Sequence, residues 1–430
     1  MKTLTASQLQ QAAEVVGTPL YAYSAAALRH RANQLRTFIP GAGFVYSLKA
    51  NPNKSIVEVL ANQGIGAEVC SLFELETALA AGVAPRNIIF VGPAKSDGDL
   101  RRAVQCGLKA IIAESLQELD MIEDIAKAAG KVPNVALRIN PTFHTKGARL
   151  SMSGKPTQFG IDAADADTAI ARVEGSVHMH LAGIHVYMGT RILDHNVVLE
   201  NTRNILELAH DLITQLGRSF DFVDIGGGFG VPYSAAEPTL DLQALSKGVS
   251  ELIGAFKAKQ SQTKVLIELG RYMVAEAGVF LTRVQYVKES KGQKFAVCDG
   301  GSNQHAAAAQ AASFKRNFPI YPVVPNDTGK EPWNISGPLC TPTDLIGQGV
   351  EMAALKTGDL IRVDNSGAYG LTFSPCQFLS FPSPAEVLVE NDHLRLIRKP
   401  GTVDQHLAQQ QAETIWRKTQ PTRELELADF

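Results

Sequence analysis

The chain has 430 residues, 45% of them hydrophobic and 20% charged, which suits roughly two or three soluble domains with large buried cores. Its formal net charge of -2 gives no reason to expect binding to nucleic acid or a membrane, and no apolar run is long enough to span a bilayer. Five scattered cysteines without a CxxC pair, and a start without a signal-peptide pattern, predict a cytoplasmic protein with neither disulfides nor a metal site.

Eight β-rich apolar runs alternate with helix-like segments. Most are continuously apolar, as expected of parallel strands buried on both faces. They lie at residues 44–48, 65–69, 88–91, 110–113, 135–139, 183–188, 222–225 and 265–268. Eight strand–helix units in about 250 residues are typical of a (β/α)8 TIM barrel, here residues 23–272. An open doubly wound sheet competes, but it would usually carry a glycine-rich turn after its first strand.

After about residue 273 the pattern changes to short strands separated by turns. The strands are predicted at residues 279–287, 294–298, 360–363, 385–389 and 393–397. We expect them to form a second, mostly antiparallel β domain from residues 273–430 together with residues 1–22. The strand-like stretch 20–23 could pair with that domain, and residues 403–416 are a candidate closing helix.

Lys49 ends the first predicted strand and precedes Asn51-Pro52-Asn53. A buried ammonium is costly, and a Schiff base with a carbonyl cofactor would remove its charge. The ordinary alternative is a strand-end lysine that snorkels to solvent. In a TIM barrel, however, the active site lies at the C-terminal ends of the strands, which favours a catalytic lysine.

The last two barrel strands are followed by groups suited to an anion. Gly226, Gly227 and Gly228 follow strand seven, and Glu268 and Arg271 end strand eight. Glycines let backbone N–H groups approach a phosphate, although a glycine triplet is more often a tight turn. The guanidinium suits phosphate and the carboxylate could hold a heterocyclic nitrogen protonated, unless the two form an ordinary ion pair.

Two aromatic rings, His185 and Tyr187, share one face of strand six, where they could pack in the core or flank a flat cofactor. In the second domain, Cys340 lies in a turn-rich segment and Tyr369 lies between glycines. A lone cysteine is most often a small buried hydrophobe. An amine, a phosphate cradle, an acid and flat rings at one barrel mouth suit pyridoxal 5′-phosphate.

Five motifs follow one another along the chain: Tyr46-Ser47-Leu48-Lys49-Ala50-Asn51, Gly226-Gly227-Gly228, Glu268-Leu269-Gly270-Arg271, Gly337-Pro338-Leu339-Cys340 and Gly367-Ala368-Tyr369-Gly370. In this order they resemble the fold-type III pyridoxal-phosphate decarboxylases, a family with an alanine-racemase-like barrel that includes ornithine and diaminopimelate decarboxylases. The resemblance spans residues 18–402 and implies covalent cofactor attachment to Lys49 and a contact between Glu268 and the pyridinium. It also implies a phosphate site made of Gly226, Gly227, Gly228, Thr190, Arg271 and Tyr369.

The resemblance also implies how the proton is returned to the substrate. Cys340 looks like the family's general acid, which reprotonates the substrate α-carbon after CO2 leaves. In this family that cysteine comes from the other subunit, so a head-to-tail homodimer with shared active sites is implied.

The departures from the family concern the substrate. An acid that grips the substrate's distal ammonium usually follows the cysteine, and here that position is Thr341. The arginine and tyrosine of a diaminopimelate-reading block align with Ala307 and Ala311. The cofactor-facing histidine on strand six aligns with Tyr187, which leaves open whether that ring or His185 stacks on the cofactor. Predicted substrate contacts are Arg191, Thr341 and Asp344.

These departures resemble a smaller branch of the family found in butirosin and siderophore biosynthesis, with carrier-bound glutamyl or citryl-amino acid substrates. We therefore expect decarboxylation of an L-α-amino acid with an extended, non-cationic side chain that is acylated, citrylated or carrier-bound. A phosphopantetheine arm could meet Arg191 or the cationic loop at residues 141–160, which contains Lys146 and Arg149. The alternatives are diaminopimelate decarboxylase, an amino-acid racemase on the same fold, and a cofactor-binding regulator without activity.

Overall fold

The structure is a computed structural model that describes residues 4–144, 150–325, 329–391 and 393–410. Lys146 and Arg149 of the predicted cationic loop lie outside the described residues, as does the end of the helix predicted at 403–416. A helix α1 (Ala6–Val16) and a strand β1 (Leu20–Ser24) precede the barrel. No helix among the described residues combines the length and the apolar composition needed to cross a membrane.

Eight parallel strands close into a barrel, which confirms the predicted fold. The first of them, β2, pairs with β3 on one side and with β12 on the other, and a β5–β6 pairing completes the ring. The strands of this region, with three two-residue additions (β7, β8 and β10), are β2 (Ala42–Ser47), β3 (Gly66–Val69), β4 (Ile88–Phe90), β5 (Ala110–Ala113), β6 (Asn134–Asn140), β7 (Leu150–Ser151), β8 (Ile161–Asp162), β9 (His180–His185), β10 (Gly189–Thr190), β11 (Phe222–Gly227) and β12 (Lys264–Leu269).

Helices cover the outside of this barrel, and many begin at a side chain that caps them. Ser71, Ser96 and Ser115, for example, each accept the backbone N–H three residues later, which satisfies a donor that the helix leaves unpaired. The barrel helices are α2 (Ala25–Phe38), α3 (Lys54–Ala61), α4 (Leu72–Ala80), α5 (Asp97–Cys106), α6 (Leu116–Ala129), α7 (Ala166–Glu174), α8 (His195–Leu216), α9 (Leu242–Lys259) and α10 (Arg271–Val274).

The second sheet is mostly antiparallel and runs in the order β17-β16-β14-β13-β1-β19-β20, with β18 beside β13 and β15. Strand β1 lies inside it, antiparallel to β13 and parallel to β19. The division into a barrel domain of residues 23–272 and a second domain of residues 1–22 and 273–430 stays a proposal. The elements are β13 (Gly278–Ser290), β14 (Gln293–Cys298), α11 (Ala306–Ser313), β15 (Ile320–Pro322), β16 (Glu331–Ser336), β17 (Leu345–Met352), β18 (Leu360–Val363), β19 (Ala385–Glu390), β20 (His393–Arg398) and α12 (Val403–Ala408).

Two details of the predicted strands are wrong and affect the site. Lys49 does not end a strand, because β2 stops at Ser47 and a 3-10 turn, Leu48–Ala50, carries the lysine. Strand six is His180–His185, not residues 183–188, so Tyr187 lies just beyond it. Gly183 lies in close contact with β11, because a Cβ there would lie 1.8 Å from the Phe222 carbonyl oxygen. The glycine predicted to begin the strand therefore lies inside it, at a close approach between two strands.

Candidate active site

Lys49 lies between two buried carboxylates at the C-terminal end of the barrel. Its Nζ is 3.2 Å from Glu68 Oε1 and 3.2 Å from Glu268 Oε1. Barrel closure makes this possible, because β2 lies between β3, which carries Glu68, and β12, which carries Glu268. Burial would lower the pKa of Lys49, but Glu268 and then Glu68 raise it well above its usual value. In the absence of a covalent partner, Lys49 is therefore an ammonium ion held by Glu68 and Glu268.

Glu268 is the centre of a buried hydrogen-bond network. One oxygen accepts Ser47 Oγ at 2.9 Å as well as Lys49, and the other lies 3.0 Å from His185 Nε2. Burial alone would raise the pKa of Glu268, but Lys49 and the His185 hydrogen bond hold it far below its usual range. Close by, burial raises the pKa of Asp224 to about 7. The environments of the two carboxylates thus shift their pKa values in opposite directions, and Glu268 is the stronger acid.

The two rings predicted on strand six, His185 and Tyr187, make different contacts. His185 is 1% exposed and bonds Glu268, whereas the Tyr187 ring lies 5.4 Å from Lys49 Nζ. Both rings line the same cavity, and the lysine amine lies over the Tyr187 ring. This geometry favours Tyr187 as the ring that stacks on a flat group bound at Lys49, and His185 as the group that orients Glu268.

Arg271 is a half-buried arginine without a carboxylate partner among the described residues. Its Nη1 donates to Tyr233 Oη at 2.8 Å, and its Nε has no hydrogen-bond partner in the described chain. The Tyr369 ring lies 4.5 Å from its Cζ. The Tyr369 backbone N–H donates to the Ala50 carbonyl at 2.7 Å, which ties this loop to the turn that carries Lys49. A half-buried guanidinium with an unpaired donor is a good site for an anion.

The three glycines, of which Gly226 and Gly227 end β11 and Gly228 follows it, are needed for packing. Gly226 and Gly228 have φ of 63° and 72°, in the left-handed region. A Cβ on Gly227 would lie 2.2 Å from the Glu268 carbonyl oxygen, and one on Gly228 would lie 2.1 Å from the Gly189 carbonyl oxygen. These glycines let the turn approach β12 and the short strand β10 closely. Their predicted contact with phosphate stays a prediction.

One cavity of about 1130 Å³ brings most of the predicted residues together. Its walls include Lys49, His185, Tyr187, Thr190, Arg191, Glu268, Arg271 and Tyr369. Sequence reasoning missed Glu68, Tyr233 and Arg316. Glu68 could have been found, because it is a charged residue near the end of a barrel strand, as Lys49 was taken to be.

The segment that carries Cys340 lies outside this cavity in its own chain. Cys340 is exposed in the connection between β16 and β17, and neither it nor Thr341 lines the cavity. Asp344 is 3% exposed, and its two oxygens accept backbone N–H groups of Ser302 and Leu339 at 2.6 and 2.8 Å. The Asp344 carboxylate therefore holds the loop in shape, which gives no support to its predicted contact with substrate.

Comparisons with known proteins identify the family of this chain. Residues 25–275, more than half of the chain, match the family described as "Pyridoxal-dependent decarboxylase, pyridoxal binding domain". The L-glutamyl-[BtrI acyl-carrier protein] decarboxylase of Niallia circulans is 40% identical over 400 residues, 91% of this chain and 94% of that protein. The diaminopimelate decarboxylase of Aquifex aeolicus is 31% identical over 397 residues, 92% of each chain.

Solved structures lead to the same family. A crystal structure of diaminopimelate decarboxylase from M. jannaschii in co-complex with L-lysine matches with a TM-score of 0.87. The two sequences are 28% identical, and the match covers 94% of each chain. With the family match and the two relatives, this shows that the chain belongs to the pyridoxal-dependent decarboxylases, enzymes whose cofactor is pyridoxal phosphate.

Proposed function

We propose that this enzyme decarboxylates an L-α-amino acid whose side chain is extended and not cationic at its tip, in a specialised biosynthetic pathway. The charges around the cavity carry this proposal. Among the described residues, five cationic side chains and two carboxylates line it. The cationic side chains are Lys49, Arg138, Arg191, Arg271 and Arg316, and the carboxylates are Glu237 and Glu268.

Neither carboxylate of the cavity is available for a substrate ammonium. Glu268 is engaged by Lys49 and His185, and Glu237 accepts the Tyr233 backbone N–H at 2.7 Å and lies 3.8 Å from Arg191. A distal ammonium would therefore meet positive charge without a free partner. The small side chains of Ala307 and Ala311, which also line the cavity, leave room for a longer acyl group.

The residues present fit pyridoxal phosphate. Arg271, with Tyr369 and Thr190 on the same cavity wall, would hold the phosphate, and Arg271 Nε is a buried donor with no partner among the described residues. Lys49 would bind the carbonyl carbon, Glu268 would face the ring nitrogen, and Tyr187 would lie against the ring. When bound, the cofactor supplies the electron sink for the electron pair of the bond between Cα and the carboxylate.

The protein's own part is to orient the substrate and to move a proton. The bond from Cα to the carboxylate breaks, CO2 leaves, and a proton from Cys340 of the partner subunit is added at Cα. The resulting thiolate regains its proton from solvent. This assignment requires a homodimer in which each cavity is completed by the other chain's β16–β17 connection.

A substitution at Glu268 tests the network around the cofactor nitrogen. Glu268→Gln removes the negative charge that would keep a ring nitrogen protonated, so we expect kcat to fall about 10²- to 10³-fold. Ser47→Ala removes one hydrogen bond to the same carboxylate and should lower kcat about 10-fold or less. Steady-state CO2 release and cofactor titration measure both variants. A Glu268→Gln enzyme with wild-type kcat would contradict the role given to Glu268.

Diaminopimelate decarboxylase is the second candidate, because the relatives with that name are 30–33% identical over most of the chain. A CO2-release assay separates the two candidates. It compares diaminopimelate, lysine and ornithine with Nγ-acyl-L-2,4-diaminobutyrates and a γ-L-glutamyl thioester. We expect kcat/KM at least about 10-fold higher for the compounds without a distal ammonium. Efficient turnover of free diaminopimelate, lysine or ornithine would reject the proposed substrate class.

A further inference from the structure

We infer that Arg316 binds an anionic group, a carboxylate or a phosphate ester, at the far end of the substrate. This inference rests on the proposed function and names the chemistry of the substrate's tip. Arg316 is exposed in the chain but lines the same cavity as Lys49. It lies in the segment that follows α11, outside the motifs that mark the cofactor site.

The cationic groups that line the cavity differ in whether a carboxylate pairs with them. Lys49 is paired with Glu68 and Glu268, Arg138 with Glu114, and Arg191 lies 3.8 Å from Glu237.

Within the described chain, only two of these cavity cations, Arg271 and Arg316, lack an ion pair with a carboxylate. The cofactor phosphate would account for Arg271. Arg316 is left as a cation that faces the cavity with no anion yet assigned to it.

The backbone at Arg316 is held in place at the end of α11. Helix α11 ends in a pair of hydrogen bonds, from Lys315 N to Ala312 O at 2.8 Å and from Arg316 N to Ala311 O at 3.0 Å. Lys315 has φ of 53°, the left-handed conformation of such a helix end. A lysine occupies a position that favours glycine, so the chain turns here at some cost in backbone strain.

The next residue anchors the turn from the other side. Asn317 Nδ2 donates to the Gln348 carbonyl at 2.7 Å, and Asn317 Oδ1 accepts the Gln348 backbone N–H at 3.0 Å. The Arg316 backbone is thus fixed between a helix end and a two-bond side-chain anchor. Only the side-chain torsions of Arg316 are then ordered when its guanidinium binds an oxyanion, which lowers the entropic cost of binding.

One face of α11, continued by Phe314, forms the part of the cavity wall that leads to Arg316. Ala307, Gln310, Ala311 and Phe314 line the cavity at a helical spacing of three and four residues. Two alanines leave width along this face, and Phe314, which is 73% exposed, offers an apolar surface next to Arg316. The face therefore suits an extended chain with a neutral stem and an anionic tip.

Aromatic rings link this position to the cofactor site. The Phe318 ring, two residues after Arg316, lies 4.4 Å from the Tyr233 ring, and Tyr233 Oη accepts a hydrogen bond from Arg271. The Arg191 guanidinium also lies over Tyr233, at 5.2 Å. A substrate whose α-amino group reaches Lys49 could thus extend past Tyr233 and Phe318 towards Arg316.

Two matched substrate pairs test the inference with the holoenzyme. Nγ-succinyl-L-2,4-diaminobutyrate is compared with its Nγ-butanoyl analogue, which replaces the terminal carboxylate by a methyl group. The γ-L-glutamyl thioester of 4′-phosphopantetheine is compared with that of pantetheine, which lacks the phosphate. The first pair reports a carboxylate and the second a phosphate ester, so the pairs separate the two sources of the anion.

We expect the wild-type enzyme to prefer the anionic member of one pair about 10- to 100-fold in kcat/KM, mainly through KM. Arg316→Gln should remove this preference, mainly by raising KM for the anionic member of the pair. Lys315→Gln removes the same charge one residue away, outside the cavity, and should keep it. Arg316→Lys should keep part of it, because the charge remains without the bidentate geometry. Thermal midpoints and the visible absorbance of the bound cofactor check that each variant is folded.

The possible failures are distinguishable. CO2 release from both members of each pair without a charge preference, or with a preference that survives in Arg316→Gln, would overturn the role of Arg316 alone. CO2 release from none of the four compounds, with efficient release from diaminopimelate, would refute both the role of Arg316 and the proposed substrate class.

Discussion

Replacing Lys49 by arginine is expected to lower the rate of CO2 release by about 10³-fold or more while the protein stays folded. Arginine keeps a positive charge between Glu68 and Glu268, which are both buried. It cannot take the place of the lysine amine in covalent bonding to the cofactor carbonyl. The variant therefore separates the chemistry of Lys49 from its electrostatic role.

Lys49→Ala is the companion variant. It removes both the amine and the charge, and leaves two buried carboxylates close together without their shared cation. We expect the same loss of activity and also a lower thermal midpoint than for Lys49→Arg. Equal thermal midpoints for the two variants would show that the ammonium contributes little to stability.

Borohydride reduction provides a readout of Lys49 that does not depend on activity. In the wild-type holoenzyme it should fix the cofactor covalently to the peptide that contains Lys49, as identified by mass spectrometry. The Lys49→Arg protein should give no such adduct. A cofactor label on another lysine would show that the site assignment is wrong.

Replacing Cys340 by alanine has the second largest expected effect. Loss of a general acid typically costs 10²- to 10⁴-fold, so we expect clean amine formation to fall by about 10²-fold or more. Cofactor binding should be unchanged, because the role assigned to Cys340 is proton transfer, whereas the groups proposed to hold the cofactor, such as Lys49, Glu268 and Arg271, are all retained. Cofactor titration and product analysis measure the two effects separately.

A mixed dimer tests whether the cysteine acts across a subunit interface. One chain carries Lys49→Arg and the other Cys340→Ala, with different affinity tags so that the mixed dimer can be purified. If the sites are shared, one site combines Lys49 of one chain with Cys340 of the other and is intact. We therefore expect about half of the wild-type activity from two nearly inactive parents. A mixed dimer as inactive as its parents would contradict the shared site.

Periodicity predicts the barrel well and its details less well. The eight barrel strands were predictable because strands buried on both faces need continuous apolar runs. Helix α11 was missed, because its sequence, mostly alanine, has no contrast between an apolar and a polar face. Strands β16 and β17 were also missed, although they hold the connection that carries Cys340.

The sequence by itself determined the family-like motifs and the residue types needed for the chemistry: an amine, an acid, a guanidinium and a thiol at recognisable positions. It determined that Lys49, Glu268 and Arg271 meet, because the C-terminal ends of parallel barrel strands converge at one mouth. Residue types and their order are local information, and these conclusions required no more than that.

Only the tertiary structure decided which groups are neighbours. Barrel closure pairs β2 with β12, more than 200 residues later, and so places Lys49 between Glu68 and Glu268. The end of strand six at His185 separated the ring that bonds Glu268 from the ring of Tyr187 that faces the lysine. Strand register and side-chain direction depend on contacts between distant segments, which hydrophobic periodicity does not encode.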